Sequence, residues 1–486
     1  MSLCSLLRGA VFVCALTAFC VPAWAASPAG DASNQARQPA QQPPATAPPP
    51  PGPVEVRAPE VVIPASMMLP APEGMGRYFP NGFAPGLGFG LNCAQGQPDG
   101  SMVLHTLTGR GPTAPGPTVT RDGKALASTI FVLPGFHPSI VTMKLSGDKA
   151  TVIGILPLRK EDGGQMTGLP PAPAVEGSPV SAPLDAALKR LSYDKNGLDP
   201  QGVAYDYKRG RFWIADGYRP AMVGVSPRDG AVLSVFDASD GLQEYLATRR
   251  PGWGFAGVSM SPSGKVFTMM RGVLFSGGKP GLFSRIVEFD PDTERVRQLC
   301  YPIDLETFED PARVVTGDPV AFADKRLLVL EQGVDKEGRA RSLVFAVDLT
   351  TAHNINKVTN DAGQTPESLA DPALLKRSFN LARKTLVMDL HAAGFKEAWA
   401  ESMTLLADGR TLAFMGGHGF GLQQQIAGYA TGADGKPVLD PAAYVLGEDG
   451  KLSADGKPTQ ASFIFRPSAV APRLWVATLP KKVSEY

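Results

Sequence analysis

Six stretches of the chain share one pattern: an apolar, β-rich run, a short polar turn, then a second apolar run. They are "GVAYDYKRGRFWIAD" from Gly202, "MVGVSPRDGAVLSVF" from Met222, "GVSMSPSGKVFTMM" from Gly257, "RIVEFDPDTERVRQL" from Arg285, "PVAFADKRLLVLEQ" from Pro319 and "MTLLADGRTLAFMG" from Met403. The turns are built from Pro, Asp, Ser, Lys and Gly, which supply a φ near −65°, side-chain hydrogen bonds to the backbone, or a positive φ. The flanking runs alternate or stay apolar, as strands of a sheet buried on both faces must. Each stretch predicts a β-hairpin. Helical periodicity is confined to two short segments, "SAPLDAALKRL" (Ser181–Leu191) and "ESLADPALLKR" (Glu367–Arg377). So many hairpins with so little helix predict an all-β fold, a β-propeller of four-stranded blades. Two packed β domains are the alternative. In a propeller, loops at one end of the central channel form the natural binding site.

The ends of the chain do not carry this pattern. Residues 1–25 hold one basic residue, Arg8, an apolar run and Ala23-Trp24-Ala25, which reads as a secretory signal peptide cleaved before Ala26. A lipid anchor at Cys20 is the competing reading, opposed by the bulk of Phe19 just before it. Residues 26–58, with "QPAQQPPATAPPPPGP", are too poor in apolar side chains to form a core and read as a disordered, extended Pro/Ala/Gln-rich linker. Residues 59–486 are then the folded domain. The protein is expected to be secreted, into the periplasm of a Gram-negative bacterium.

Composition narrows the classes. The 486 residues are 43% hydrophobic and 19% charged with a formal charge of +1, which favours neither nucleic acid nor an acidic membrane surface as a partner. After the signal no apolar run reaches the roughly 20 residues of a membrane span. Of five cysteines, Cys93 and Cys300 remain in the mature chain. In an oxidising compartment they either form one disulfide or stay as two buried thiols.

Several chemistries lack their signatures. G-x-S-x-G and H-E-x-x-H are absent, and the five histidines are scattered. "GLGFGL" and "GGHGFG" are Gly-rich but open no helix and lack the Lys-Ser/Thr of a phosphate-binding loop, so they read as tight turns.

One stretch is more telling. "YDKNGLDPQGVAYDYKRGRFWIADGYRP" (Tyr193–Pro220) resembles the phytase-like propeller family, also called esterase-like activity of phytase. That family reads Asn-Gly-Leu-Asp-Pro-Glu-Gly, a strand, Phe-Trp and an acidic loop. "LTGRGPTAPGP", "FVLPGFHPSIVTMKL", "TGLPPAP", "GFAGVSMSPSGK", "LLVLEQG" and "WAESMTLLADGRTLAFMGGHGFG" resemble further segments of it in the same order, from about residue 75 to the end. The resemblance implies hydrolysis of phosphate esters or carboxylic esters. It also implies acidic loops suited to calcium, which takes oxygen ligands and would orient a water for attack.

The chain departs from that pattern in one direction. Gly109, Gly135, Gln201, Gly217, Gly252 and Ala256 stand where the family has acid or amide, and Gly417-His418-Gly419 replaces Asp-Asn-Asp. The implied metal ligands that remain are Asp199, Asp216, Glu331 and Glu401. Each has an ordinary alternative: the aspartates cap turns, and the glutamates pair with arginines or bond loop amides. Arg110, retained in "GRGP", suits an anionic group or a structural ion pair. His418 is the one new titratable side chain in the bare loop, a general base or an exposed loop residue. With Glu401 and Arg110 it completes the candidate catalytic set. The expected protein is thus a small-molecule ester or phosphate-ester hydrolase with a depleted acidic site and weakened or altered activity. The other reading is a non-catalytic propeller that binds a ligand or a protein partner. Trp253 in "RRPGWGF" supports that reading if exposed, and is ordinary blade packing if not.

Overall fold

The computed structural model describes residues 54–486 except 73, 122, 173–180, 238–245, 247, 251, 418 and the side chain of Gln95. The signal peptide, the linker up to residue 53 and His418 lie outside the described residues. All six predicted hairpins form, each joining consecutive antiparallel strands.

Three sheets are simple four-stranded meanders: Pro200–Asp206 through Val232–Phe236, Phe255–Met260 through Arg295–Pro302, and Val315–Ala323 through Arg383–Asp389. A fourth begins with Ala400–Leu405, Thr411–Gly416 and Leu474–Thr478 and takes Glu55–Arg57 as its outer strand. The fifth runs inward from Glu60–Val62 through Lys149–Pro157, Ser139–Ser146 and Met102–Leu107 to Leu91–Gly96. The first strand of each meander packs on the first strand of the next. Leu91–Gly96 closes this ring between Ala400–Leu405 and Pro200–Asp206. The arrangement is propeller-like, and these five strands are its inner strands. The described residues form one compact unit, so their sheets are not divided between two packed β domains.

The N-terminal segment fastens the ring. Glu55 to Arg57 pair with Thr478 to Val476 of the C-terminal strand, and Glu60 to Val62 run beside Lys149 to Thr151 of the fifth sheet. Strand pairing therefore starts inside the stretch expected to be linker, before residue 59. The cause is apolar: Val54 and Val56 pack against the core between two sheets. Fully buried side chains between sheets, among them Trp213, Phe255, Phe267, Phe289 and Phe414, hold the ring together. Each contributes about 1.5–3 kcal/mol of burial free energy.

One helix expectation fails. Ser181–Leu191 is not helical: Ala182–Asp185 is a strand parallel to Ser128–Phe131. Asp185 Oδ1 then accepts the amides of Ala187 and Lys189, and Leu188 takes a φ of 62°. A side chain that captures local amides competes with the helix ladder. In the other segment, Pro372–Ser378 is an α-helix capped by Asp371, preceded by a short 3-10 turn.

Cys93 and Cys300 are free. Cys93 lies on an inner strand and Cys300 on the outermost strand of a different sheet. Strands about 4.8 Å apart put such positions beyond the roughly 7 Å reach of a bridge.

The hairpin registers place Leu107, Ser139 and Gly416 at the end of the ring where the inner strands begin. The insertions after these strands, Thr113–Phe131 and Leu422–Pro467, form small sheets around a second apolar core that includes Tyr444, Phe463 and Leu184.

Candidate functional site

Four inner strands slip register close to their starts. The slips fall at Gln201, at Ala256–Gly257, at Asp318–Pro319 and at Glu401. A bulge leaves a residue without a ladder partner and re-aims its side chain. These bulged positions from adjacent sheets meet: Gln201, Ala256, Asp318 and Glu401 line one cavity of about 190 Å³, with Arg271, Gln332 and Trp399 completing its wall.

The bulges also let the inner strands approach closely. A Cβ added to Gly202 would lie 2.4 Å from Gly257 Cα, and one added to Gly257 would lie 2.4 Å from Asp318 Cα. Gly257 has a φ of +84°, and Asp318 takes a φ of 43° at the corresponding place in the next sheet. Positive φ at a non-glycine residue is costly, so Asp318 is held there by its surroundings. Its Oδ2 accepts the amide of Met403 on the neighbouring inner strand. Asp318 is 6% exposed. It also lines a second cavity of about 460 Å³ that follows the inner strands away from Glu401. Burial pushes its pKa well above the usual carboxyl range, and the nearby Glu401 carboxylate pushes the same way.

A polar chain crosses the rim of this cavity. Arg110 Nη1 meets Asp199 Oδ2 at 3.2 Å, Gln201 Nε2 donates to Asp199 Oδ1 at 2.8 Å, and Arg271 Nη1 donates to Gln201 Oε1 at 2.8 Å. Arg271 Nη2 lies 3.8 Å from Glu401 Oε2. That is an ion pair but beyond hydrogen-bond length, so this N–H faces the cavity with donor capacity to spare. Trp399 is 38% exposed and forms an aromatic wall. Gln332 is fixed from behind, exchanging hydrogen bonds with the backbone of Ala400 and accepting from Ser342 Oγ.

The sequence-predicted residues divide. Glu401 faces the cavity. Arg110 and Asp199 sit one link away through Gln201, and Arg110 also stacks over Tyr218 at 5.6 Å. Asp216 is fully buried, accepting from the amides of Asp199 and Tyr218 and from Arg219 Nε. Burial raises its pKa in spite of Arg219. Glu331 belongs elsewhere: fully buried, it accepts from Tyr301 Oη at 2.6 Å, Lys384 Nζ at 2.6 Å and the Asp304 amide at 2.7 Å. Its oxygens are occupied by protein donors. His418 lies outside the described residues.

These acids do not fit a calcium cage. Calcium needs six to eight oxygens, whereas among the described residues no three His, Cys, Asp or Glu side chains converge to hold a metal. Three of the four expected ligands are taken up by structural donors.

The bare Gly416–Gly421 loop has a local cause. A Cβ on Gly416 would stand 2.8 Å from Glu397 Cγ, and one on Gly417 would stand 3.0 Å from Glu401 Cγ. The two glutamates fill the space that side chains at 416 and 417 would need, whereas Gly419 and Gly421 have open space and positive φ. Phe420, 2% exposed, anchors the loop against Phe83 and Phe136. Trp253 is half-buried and packs on Gly272, with Arg250 5.1 Å above its ring.

The sequence reading missed Asp318, Arg271, Gln332 and Trp399. Asp318 had a signal: it immediately precedes its hairpin, where Gly202 and Gly257 begin theirs.

The family model for the phytase-like proteins, described as esterase-like activity of phytase, matches residues 135–416. The chain belongs to the phytase-like family. The matched span takes in Asp199, Gln201, Arg271, Asp318 and Glu401, while Arg110 and the Leu422–Pro467 insertion lie outside it. No curated protein matches the chain. Among solved structures it is similar to hydrazine synthase of Kuenenia stuttgartiensis, with 12% identity, a TM-score of 0.31, and 68% of this chain and 92% of that one covered. It is similar also to the periplasmic gluconolactonase of Pseudomonas aeruginosa, with 12% identity, a TM-score of 0.28 and coverage of 79% and 87%. A third is the α-L-arabinofuranosidase of Podospora anserina, with 8% identity, a TM-score of 0.33 and coverage of 88% and 98%. Likeness at this level carries no chemistry across. Among the described residues no helix is long and apolar enough to cross a membrane.

Proposed function

We propose that this phytase-like protein is a secreted, five-bladed propeller that hydrolyses a small carboxylic ester in the cavity at Glu401, without a metal ion. The observation that supports it is the pairing of a carboxylate with an incompletely bonded guanidinium, Glu401 with Arg271, in a cavity built by the bulges of adjacent inner strands. Glu401 is placed to take a proton from water, and Arg271 Nη2 to bond the carbonyl oxygen as it becomes an oxyanion. The cavity lining offers one cation against two carboxyl groups. That balance disfavours a phosphomonoester dianion and suits a neutral ester. Secretion rests on the leader sequence.

The test is hydrolysis of p-nitrophenyl butyrate and p-nitrophenyl phosphate by the purified chain, with and without EDTA. The butyrate should be cleaved above the buffer rate, EDTA should change nothing, and Glu401→Gln should lower kcat by about 10²-fold with an unchanged melting temperature. No hydrolysis of either ester, or equal rates for wild type and Glu401→Gln, overturns the reading. The exposure of Trp399 favours a second reading, a non-catalytic module that binds a ligand with an apolar or aromatic face. In that case neither ester turns over, and ligand binding quenches tryptophan fluorescence in wild type but not in Trp399→Ala.

A further inference from the structure

We infer that Asp318 is the acid partner of Glu401, delivering its proton to the alcohol that leaves the ester. The inference rests on the ester-hydrolase reading and adds to it a second catalytic carboxyl group and a substrate class, esters of unactivated alcohols.

Four observations carry it. Asp318 and Glu401 occupy register slips on adjacent inner strands, and both line the same cavity. Asp318 is buried, and among the described residues it has no basic partner, since the arginine of the cavity, Arg271, is paired with Glu401. One of its oxygens is fixed by the Met403 amide, while the other lies over Gly257. A Cβ on Gly257 would be 2.4 Å from Asp318 Cα and 2.5 Å from that Oδ1, so glycine there admits both the backbone and the carboxyl group of Asp318. Finally, Asp318 holds a positive φ where Gly257 holds one in the preceding sheet. Glycine would satisfy that backbone without strain, so the side chain is retained at a cost. Burial favours its protonated form and outweighs the Met403 amide, which favours the charged one; the Glu401 charge adds to burial. Two carboxyl groups in one cavity, one paired with a cation and one not, divide naturally into base and acid.

The step balances. Glu401 takes one proton of water as the water oxygen bonds to the acyl carbon, and the carbonyl oxygen gathers negative charge against Arg271. The carbon–oxygen bond to the alcohol then breaks as the carbonyl re-forms, and the departing oxygen takes the Asp318 proton. Carboxylic acid and alcohol leave. The proton on Glu401 passes through solvent to Asp318, restoring the starting state.

A departing alkoxide needs this proton, whereas p-nitrophenolate does not. The experiment compares ethyl butyrate with p-nitrophenyl butyrate in wild type, Asp318→Asn and Asp318→Gly. Asparagine keeps an acceptor for the Met403 amide, and glycine suits the positive φ, so at least one variant should fold. For a folded variant, kcat on ethyl butyrate should fall by about 10²-fold or more, and at least about tenfold further than kcat on p-nitrophenyl butyrate, the signature of lost acid catalysis. The alkaline fall in kcat for the ethyl ester should also vanish. Equal losses on both esters, no loss on either, or failure of both variants to fold overturns the assignment of Asp318 and leaves the reading of Glu401 intact. A wild type inactive on both esters overturns both.

Discussion

Gln201 accepts a 2.8 Å hydrogen bond from Arg271 Nη1, and the same amide donates to Asp199 from its nitrogen. A carboxylate, which only accepts, cannot do both. The sequence presents Gln201 as an acid lost from the family pattern, but beside the buried Asp199 a carboxylate would be repelled. Gln201→Glu should cost about 1–3 kcal/mol of stability near neutral pH. The new side chain keeps its contact with Arg271 but loses the donor to Asp199 and sets a like charge against it. Melting curves of wild type and variant check this, and equal stability would count against the relay.

Gly417 presses on Glu401 in the same way that Gly416 presses on Glu397. A methyl group at 417 would meet Glu401 Cγ at 3.0 Å and Oε1 at 3.1 Å, close enough to push the carboxylate aside but not to unfold a surface loop. Gly417→Ala should therefore lower kcat by about tenfold or more, as misplacement of a catalytic group does. Its melting temperature should fall by no more than a few degrees. Ester hydrolysis and calorimetry on the same preparation separate the two effects. Full activity would mean that Glu401 does not need this position.

The hairpins were legible because each carries its own information: apolar runs and a turn such as Tyr207 to Gly210 or Pro262 to Gly264 fix a strand pair locally. Ring closure was not, because the pairing of Glu55–Arg57 with Val476–Thr478 joins the two ends of the domain. Ser181–Leu191 misled because periodicity alone does not reveal that Asp185 will capture two amides. Both Glu401 and Asp318 line the cavity, and the sequence singled out Glu401 but not Asp318. Its role depends on a bulge, and a register slip is a property of two strands rather than of one stretch of sequence. The packing of Glu401 over Gly417 was not legible for the same reason: it joins two stretches of the chain.

Calcium should leave the protein unmoved. Tight binding to the folded state alone must raise the melting temperature, by about 2.7 kcal/mol of stabilisation at a hundredfold excess over Kd. With Asp216 bonded to Arg219 and Glu331 to Lys384, calcium in place of EDTA is expected to shift melting by less than about 1 °C, well short of that linkage. A rise of several degrees would show that a cage exists, with ligands beyond the acids described.

Glu331 offers the sharpest contrast between a ligand and a structural acid. It is fully buried, and its charge is met by Lys384 Nζ at 2.6 Å. The ammonium also lies 4.7 Å from the centre of the Tyr301 ring and 4.3 Å from that of Phe345. Removing one member of such a pair strands the other in a low-dielectric interior, at about 3–5 kcal/mol, whereas replacing both with apolar groups of similar size is often close to neutral. Lys384→Met should thus destabilise strongly in urea titrations, and adding Glu331→Leu should restore most of the loss, less about 1–3 kcal/mol for the unpaired Tyr301 hydroxyl and Asp304 amide. Ester hydrolysis should survive in the double variant, because this cluster lies apart from the cavity at Glu401. A metal-binding Glu331 predicts the opposite on both counts. Lys384→Met would be nearly silent, and Glu331→Leu would abolish activity in any background.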